Sequence, residues 1–232
     1  MNHATETALP RPTTSDSIAQ ALSLAIHKHR IAPGTKLGED ELAEIYGVSR
    51  TVVRGALQTL SHIKLVDIRR NKGASVASPS IVEAREVFET RELLEPRTAR
   101  SAATRATATD IASLERHIVD EHAALEAADP GRALYLSGLF HTEIALIAQQ
   151  ATIAGFIETL IARSSLIIAL YWRRESALCE KHAHHALVQA LADNDEDQAE
   201  ALMRSHLVDL HSALDLRNRN ERTLSLKDAL SQ

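Results

Sequence analysis

Three histidines on otherwise apolar helical stripes are the residues of this chain best placed to do chemistry. His141 shares a stripe with Leu134, Ser137, Gly138, Ile144, Ala145 and Ala148. His184 precedes Leu187, Val188 and Leu191 at helical spacing, and His206 is flanked by Leu202, Met203 and Leu210 in the same way. Each spacing turns one imidazole toward the buried side of its helix. A single inward histidine is ordinarily a hydrogen-bonded core residue. Three converging on one core are costly to bury without partners, and a divalent metal satisfies them together. Three neutral nitrogens plus water or a carboxylate suit zinc first, and accept nickel, manganese or iron as well. A buried polar network and a metal-free ligand pocket are the other readings of the pattern.

Two arginines stand beside the histidines. Arg91 lies between Val87, Phe88 and Leu94, and Arg163 between Phe156, Leu160, Leu166 and Leu170, so the spacing turns both inward. A buried guanidinium must be paired. Its partner is either a bundle carboxylate such as Glu95, or the carboxylate of a small effector, which suits the bidentate fork of arginine.

A different chemistry is written nearer the start. In Gly47-Val48-Ser49-Arg50-Thr51-Val52-Val53-Arg54-Gly55-Ala56-Leu57, Gly47 can take the left-handed conformation of a tight turn and Ser49 is a good N-cap. Val53, Leu57 and Leu60 then recur at helical spacing, which leaves Arg50, Thr51 and Arg54 outward on the first turns, where a recognition helix meets bases and phosphates. Glu39 to Tyr46 reads as the preceding helix, and Ser15 to Arg30 as another. Leu65 through Val76 reads as two short strands joined by a basic turn, a wing carrying Arg69, Arg70 and Lys72.

Charge follows the same division. Through Pro79 there are 10 Lys+Arg against 7 Asp+Glu, whereas the remainder carries 16 against 24. The overall net charge of -5 argues against an indiscriminate nucleic-acid binder. Cys179 is the only cysteine, so neither an intramolecular disulfide nor a cysteine zinc cluster is available, and a reducing cytoplasm fits. No run of about 18 apolar residues is present, so no membrane partner is expected.

Beyond Ser78-Pro79-Ser80, glycine and proline become scarce and helical periodicity continues to about Leu216. Breakers divide this region into helices at Ile81 to Thr104, Thr107 to Ala128, Pro130 to Gln149, Ile153 to Arg173, Leu178 to Ala192 and Asp195 to Asp215. The expected fold is therefore mostly α: a winged helix-turn-helix followed by an antiparallel bundle of about six helices. The expected division is a flexible arm at 1–14, a DNA-binding domain at 15–78, an effector-binding and dimerisation domain at 79–216 and a loose tail at 217–232. No phosphate loop, His-Glu-x-x-His or Gly-x-Ser-x-Gly signal occurs.

Leu42-Ala43, Gly47 through Thr51, Val53-Arg54, Ala56-Leu57, Leu65-Val66 and Gly73 through Val76 resemble the GntR family of bacterial transcription regulators. Asp40 stands where some relatives carry a DNA-contacting arginine, and Gly55 replaces a common glutamate. Arg91 through Glu95, Phe140-His141, His184 with Leu187, and Met203 with His206-Leu207 resemble the metal-binding form of the FadR C-terminal effector domain. That resemblance implies His141, His184 and His206 as metal ligands, with Arg91, Arg163 and Ser137 toward an organic-acid or sugar-acid effector. It also implies a homodimer on palindromic operator DNA, more often a repressor than an activator, reading DNA through Ser49, Arg50, Thr51, Arg54 and the wing. Ser137 occupies the place of the usual metal-binding aspartate. Either the metal is held less tightly, or water or effector oxygen completes its shell, or the metal has been lost. A metal-dependent enzyme built in the bundle is the rival expectation, disfavoured because no glutamate precedes the histidines at di-iron spacing.

Overall fold

The computed structural model of the chain describes residues 12–172 and 183–217. Most of the expected arm and tail, the helix start expected at Leu178, and Cys179 lie outside them.

Helices α1 (Ser15–His27), α2 (Glu39–Tyr46) and α3 (Arg50–His62) enclose a core of Ile18, Leu22, Ile26, Leu42, Val53, Leu57 and Leu60. Thr14 starts α1 through a reciprocal capping box with Ser17. Gly47 takes the left-handed conformation (φ 67°, ψ 36°) between α2 and α3, as a short helix-helix turn demands. The wing is formed by β2 (Val66–Arg69) and β3 (Gly73–Val76), with Asn71 and Gly73 at positive φ in the turn. A third strand, β1 (Lys36–Leu37), adds to the other edge of β3, giving the antiparallel order β1-β3-β2. Its two residues are too short to show an alternating pattern, so the sequence reading, which had only two strands, missed it.

Gly55 has a local cause. The Ser15 hydroxyl donates to the Val52 carbonyl at 2.9 Å, and a Cβ at position 55 would lie 2.6 Å from the Ser15 hydroxyl oxygen. The glycine therefore makes room for the start of α1.

The described remainder comprises α4 (Ile81–Ala103), α5 (Ala108–Glu126), α6 (Pro130–Ile147), α7 (Ala151–Tyr171), α8 (Ala183–Ala192) and α9 (Glu196–Ser212). Capping boxes Ser80/Glu83 and Thr107/Asp110 set the starts of α4 and α5, and Asp129 and Asp195 cap α6 and α9. Long α4 packs along α9 and is tied to it by Arg100, which meets Glu196, Asp197 and Glu200. Buried Pro96 interrupts the hydrogen-bond ladder of α4, one residue after Glu95.

The two regions are interlocked. Ala162 and Leu166 of α7 are buried in the core of the winged region. The Tyr171 hydroxyl donates to the Pro79 carbonyl at 2.8 Å, which ties the connecting segment to the end of α7. By length and composition α7 alone among the described helices could cross a membrane, but half of its apolar window is buried inside the fold.

Candidate functional site

His141 of α6, His184 of α8 and His206 of α9 meet in the bundle, with 3%, 7% and 9% of their surface exposed. One ring nitrogen from each lies within 4.8 Å of the others. The Nε2 atoms of His141 and His206 are 3.2 Å apart. Two nitrogens on one tetrahedral zinc, each ~2.0–2.1 Å from it, would stand ~3.3 Å apart, so the His141–His206 pair suits a shared ion, while the set as a whole, spread over up to 4.8 Å, would have to draw in to hold it.

The opposite sides of two rings are held by carboxylates. His184 Nδ1 donates to Glu121 Oε2 at 3.0 Å, which leaves its Nε2 lone pair for another partner. That Nε2 is buried without a hydrogen bond. His141 Nδ1 lies 2.7 Å from Glu95 Oε2, off the line of an ideal hydrogen bond. His206 Nδ1 has no partner. Phe140 stacks on the His184 ring at 4.3 Å between centroids and fixes its plane.

Burial dominates the titration of these groups. It lowers the pKa of His141 against the opposing pull of Glu95, and that of His206 well below the usual value, with His184 and His141 adding to the effect. Both imidazoles are thus kept neutral, the form that binds metal. Burial works against an ionised Glu95, but the charge and hydrogen bonds of Arg91, with the close approach of His141 Nδ1, outweigh it and bring its pKa to about 2. Arg91 grips that carboxylate through Nε at 2.5 Å and Nη2 at 3.3 Å. The bundle carboxylate is therefore its partner in this structure, while Arg91 still borders the cavity.

The cavity has a volume of about 340 Å³ and reaches His184, His206, Ser137 and Arg91. Arg163 is not among its walls. The arginine pairs with Glu83 in the first turn of α4, and 22% of its side chain is exposed. Helix α7 is apolar nearly all round, with Phe156 61% exposed, so apolar neighbours did not define its inward face. Glu121 was also missed by the sequence reading, since α5 offers no spacing that links it to a histidine on another helix.

On the winged region, Ser49, Arg50, Thr51 and Arg54 form one exposed face, and Arg69, Arg70 and Lys72 are exposed on the wing. Ser49 stands at the N-cap, but its hydroxyl makes no cap bond. Glu39 at the start of α2 receives Arg50 at 3.3 Å and Arg54 at 2.9 Å, and Asp40 adds a contact to Arg50 at 3.1 Å. Exposed pairs of this kind are weak and screened by solvent, so phosphate can displace them. On the wing, Arg69 reaches Asp67 at 3.4 Å.

Residues 14–76 match the family of bacterial regulatory proteins, gntR family, and residues 86–209 match the FCD domain. The chain belongs to the GntR family and carries an FCD domain. It is a ligand-responsive, DNA-binding transcription regulator. The regulator is 29% identical over 208 residues to the HTH-type transcriptional repressor RspR of Escherichia coli (strain K12), covering 88% of this chain and 90% of that one. To the galactonate operon transcriptional repressor of the same strain it is 27% identical over 216 residues, covering 80% and 90%. A GntR transcriptional regulator structure from Rhodococcus sp. RHA1 shares the fold with a TM-score of 0.74 at 20% identity, covering 85% of this chain and 95% of that one.

Proposed function

We propose that this GntR regulator is a homodimeric repressor whose FCD cavity binds a small carboxylate effector with the help of a divalent metal. The observation that carries this reading is the buried, unpartnered Nε2 of His184 beside two imidazole nitrogens 3.2 Å apart. His141, His184 and His206 would hold the ion, with zinc the best fit to three imidazoles and nickel or manganese as substitutes. When bound, the ion supplies a Lewis-acidic centre for an effector oxygen.

Electrostatics favours the same arrangement. Glu121 and Glu158 border the cavity, and the Arg91 charge is already offset by Glu95. A carboxylate entering this space would meet net negative walls, which a divalent cation reverses. Ser137 is a weak neutral donor, and with no aspartate in its place the ion keeps a position for effector or water. Arg91 and Ser137 would orient the effector, while Arg163 anchors α7 to α4. The relatives named as repressors, one of them of a galactonate operon, fit a sugar acid or similar organic acid as effector.

The DNA-reading face would be Ser49, Arg50, Thr51 and Arg54, supported by Arg69, Arg70 and Lys72 on the wing. In a dimer, two such helices enter successive major grooves of a palindromic operator about 34 Å apart, in the cytoplasm. Domain limits near 15–78 and 79–216 fit this division of labour.

Gel retardation of DNA from upstream of the regulator's own gene tests the reader. Arg50→Ala/Arg54→Ala should abolish the specific complex, and undiminished binding overturns the assignment. Elemental analysis of untagged protein tests the metal. His141→Ala/His206→Ala should lose an ion that the unaltered protein retains, and equal or absent metal in both removes it.

A further inference from the structure

The cavity beside the histidines does not end within the helical bundle. Ser23 and His27 of α1, and Ile63 at the end of α3, belong to the winged region yet border the same space as His184, His206 and Arg91. We propose that the effector site is composite, with Ser23 and His27 of the DNA-reading domain forming its second wall, so that one bound molecule touches both domains at once. The proposal rests on the effector reading given above and adds to it where the signal is received.

The second wall is built. A Cβ at Gly131, in the first turn of α6, would lie 2.1 Å from the Lys28 carbonyl oxygen, so only glycine lets the end of α1 dock this closely. The Ser165 hydroxyl donates to the His27 carbonyl at 3.3 Å, and the Ser165 carbonyl lies 3.0 Å from His29 Nε2. Ser165 itself borders the cavity. A molecule in this space therefore lies against the bonds that seat α1 on α7.

Among the described residues, the His27 ring nitrogens and the Ser23 hydroxyl make no hydrogen bond, although both side chains are half-buried. His27 makes only ring contact with Tyr135, at 6.1 Å. Facing the cavity, such groups are free to bond a ligand or water within it. Burial, with the neighbouring His29, lowers the His27 pKa to about 4 and leaves a neutral ring. A neutral imidazole beside a serine suits hydroxyl groups, whereas the histidine-triad end suits a carboxylate. The matching class is a hydroxy acid with its hydroxyls directed toward α1. Such a molecule binds the docked domains more tightly than separated ones, which is the differential affinity a switch requires.

The test uses full-length protein loaded with Zn²⁺ and titrated calorimetrically with lactate, malate, citrate, gluconate and galactonate. Ser23→Ala/His27→Phe removes the α1 polar atoms and keeps an aromatic ring, somewhat larger, at position 27. Ser23→Phe fills the cavity from the same side and keeps the test decisive if the double variant disturbs α1. Binding of whichever acid binds the unaltered protein should weaken about tenfold or more in the double variant and disappear in Ser23→Phe, with zinc content retained. Affinity within twofold of the original in both variants overturns the composite site. If binding then still depends on His141 and His206, the effector reading survives without it. Failure of all five acids to bind the unaltered protein removes the effector class and this proposal together.

Discussion

Glu95 and Glu121 both touch a histidine of the cluster, but their neighbours give them different tasks. Glu95 also neutralises the buried guanidinium of Arg91, so Glu95→Gln leaves a cation in the core and should cost ~3–5 kcal/mol in chemical unfolding. Glu121 serves only the His184 ring among the contacts described. Glu121→Gln should leave the metal-free protein close to its original stability and weaken zinc binding ~10–100-fold in competition with a chelating dye. Unchanged zinc affinity in Glu121→Gln would show that His184 is not held for a metal. The histidines themselves were legible because each sits on a short apolar stripe that helical periodicity reads directly. Their carboxylate partners were not, since periodicity says which way a residue faces within its helix and nothing about which helix it meets.

Among the elements, the docking of α1 against α6 and α7 depends on one missing side chain. Gly131→Ala places a methyl group against the Lys28 backbone, which cannot rotate away as a side chain could. The expected loss is ~1–3 kcal/mol, with the winged region melting ahead of the bundle in calorimetry. A single transition at the original temperature would sink the idea that Gly131 sets this contact. Little of this contact could be read from the sequence. Pro130-Gly131 looks like an ordinary helix start, and Ala162 and Leu166 look like bundle core, although they complete the core of the other region. The helices were legible because apolar periodicity and the breakers that end it are local, as are the caps that the structure places at Thr14, Ser80, Thr107, Asp129 and Asp195. Strand β1 and the direction of Arg163 depend on partners distant in sequence, and there local pattern fails.

For the molecule as a whole, buried neutral histidines tie stability to pH. His27, lowered from 6.5 to about 4 by burial and by His29, binds its proton in the unfolded chain first as pH falls. Its contribution is fully present above 6.5 and is lost progressively as pH drops toward 4. His29, His141 and His206, also lowered chiefly by burial, act in the same direction. Glu95, lowered from 4.5, adds its loss only below that pH, so the first part of the decline belongs to the histidines. Melting temperature measured on metal-free protein should therefore fall from pH 7 to pH 5, and less steeply in His27→Phe. Identical slopes would contradict a half-buried His27 kept neutral in the fold. The proline behind Glu95 has a mechanical side. With one rung absent there, the stretch of α4 from Ile81 to Glu95 is a stiff arm of ~21 Å at 1.5 Å per residue, and a tilt of about 5° at its base would sweep the linker end through ~2 Å. A shift too small to notice beside His141 would arrive at Ser78-Pro79-Ser80, where the winged region joins the bundle, as a change of aim.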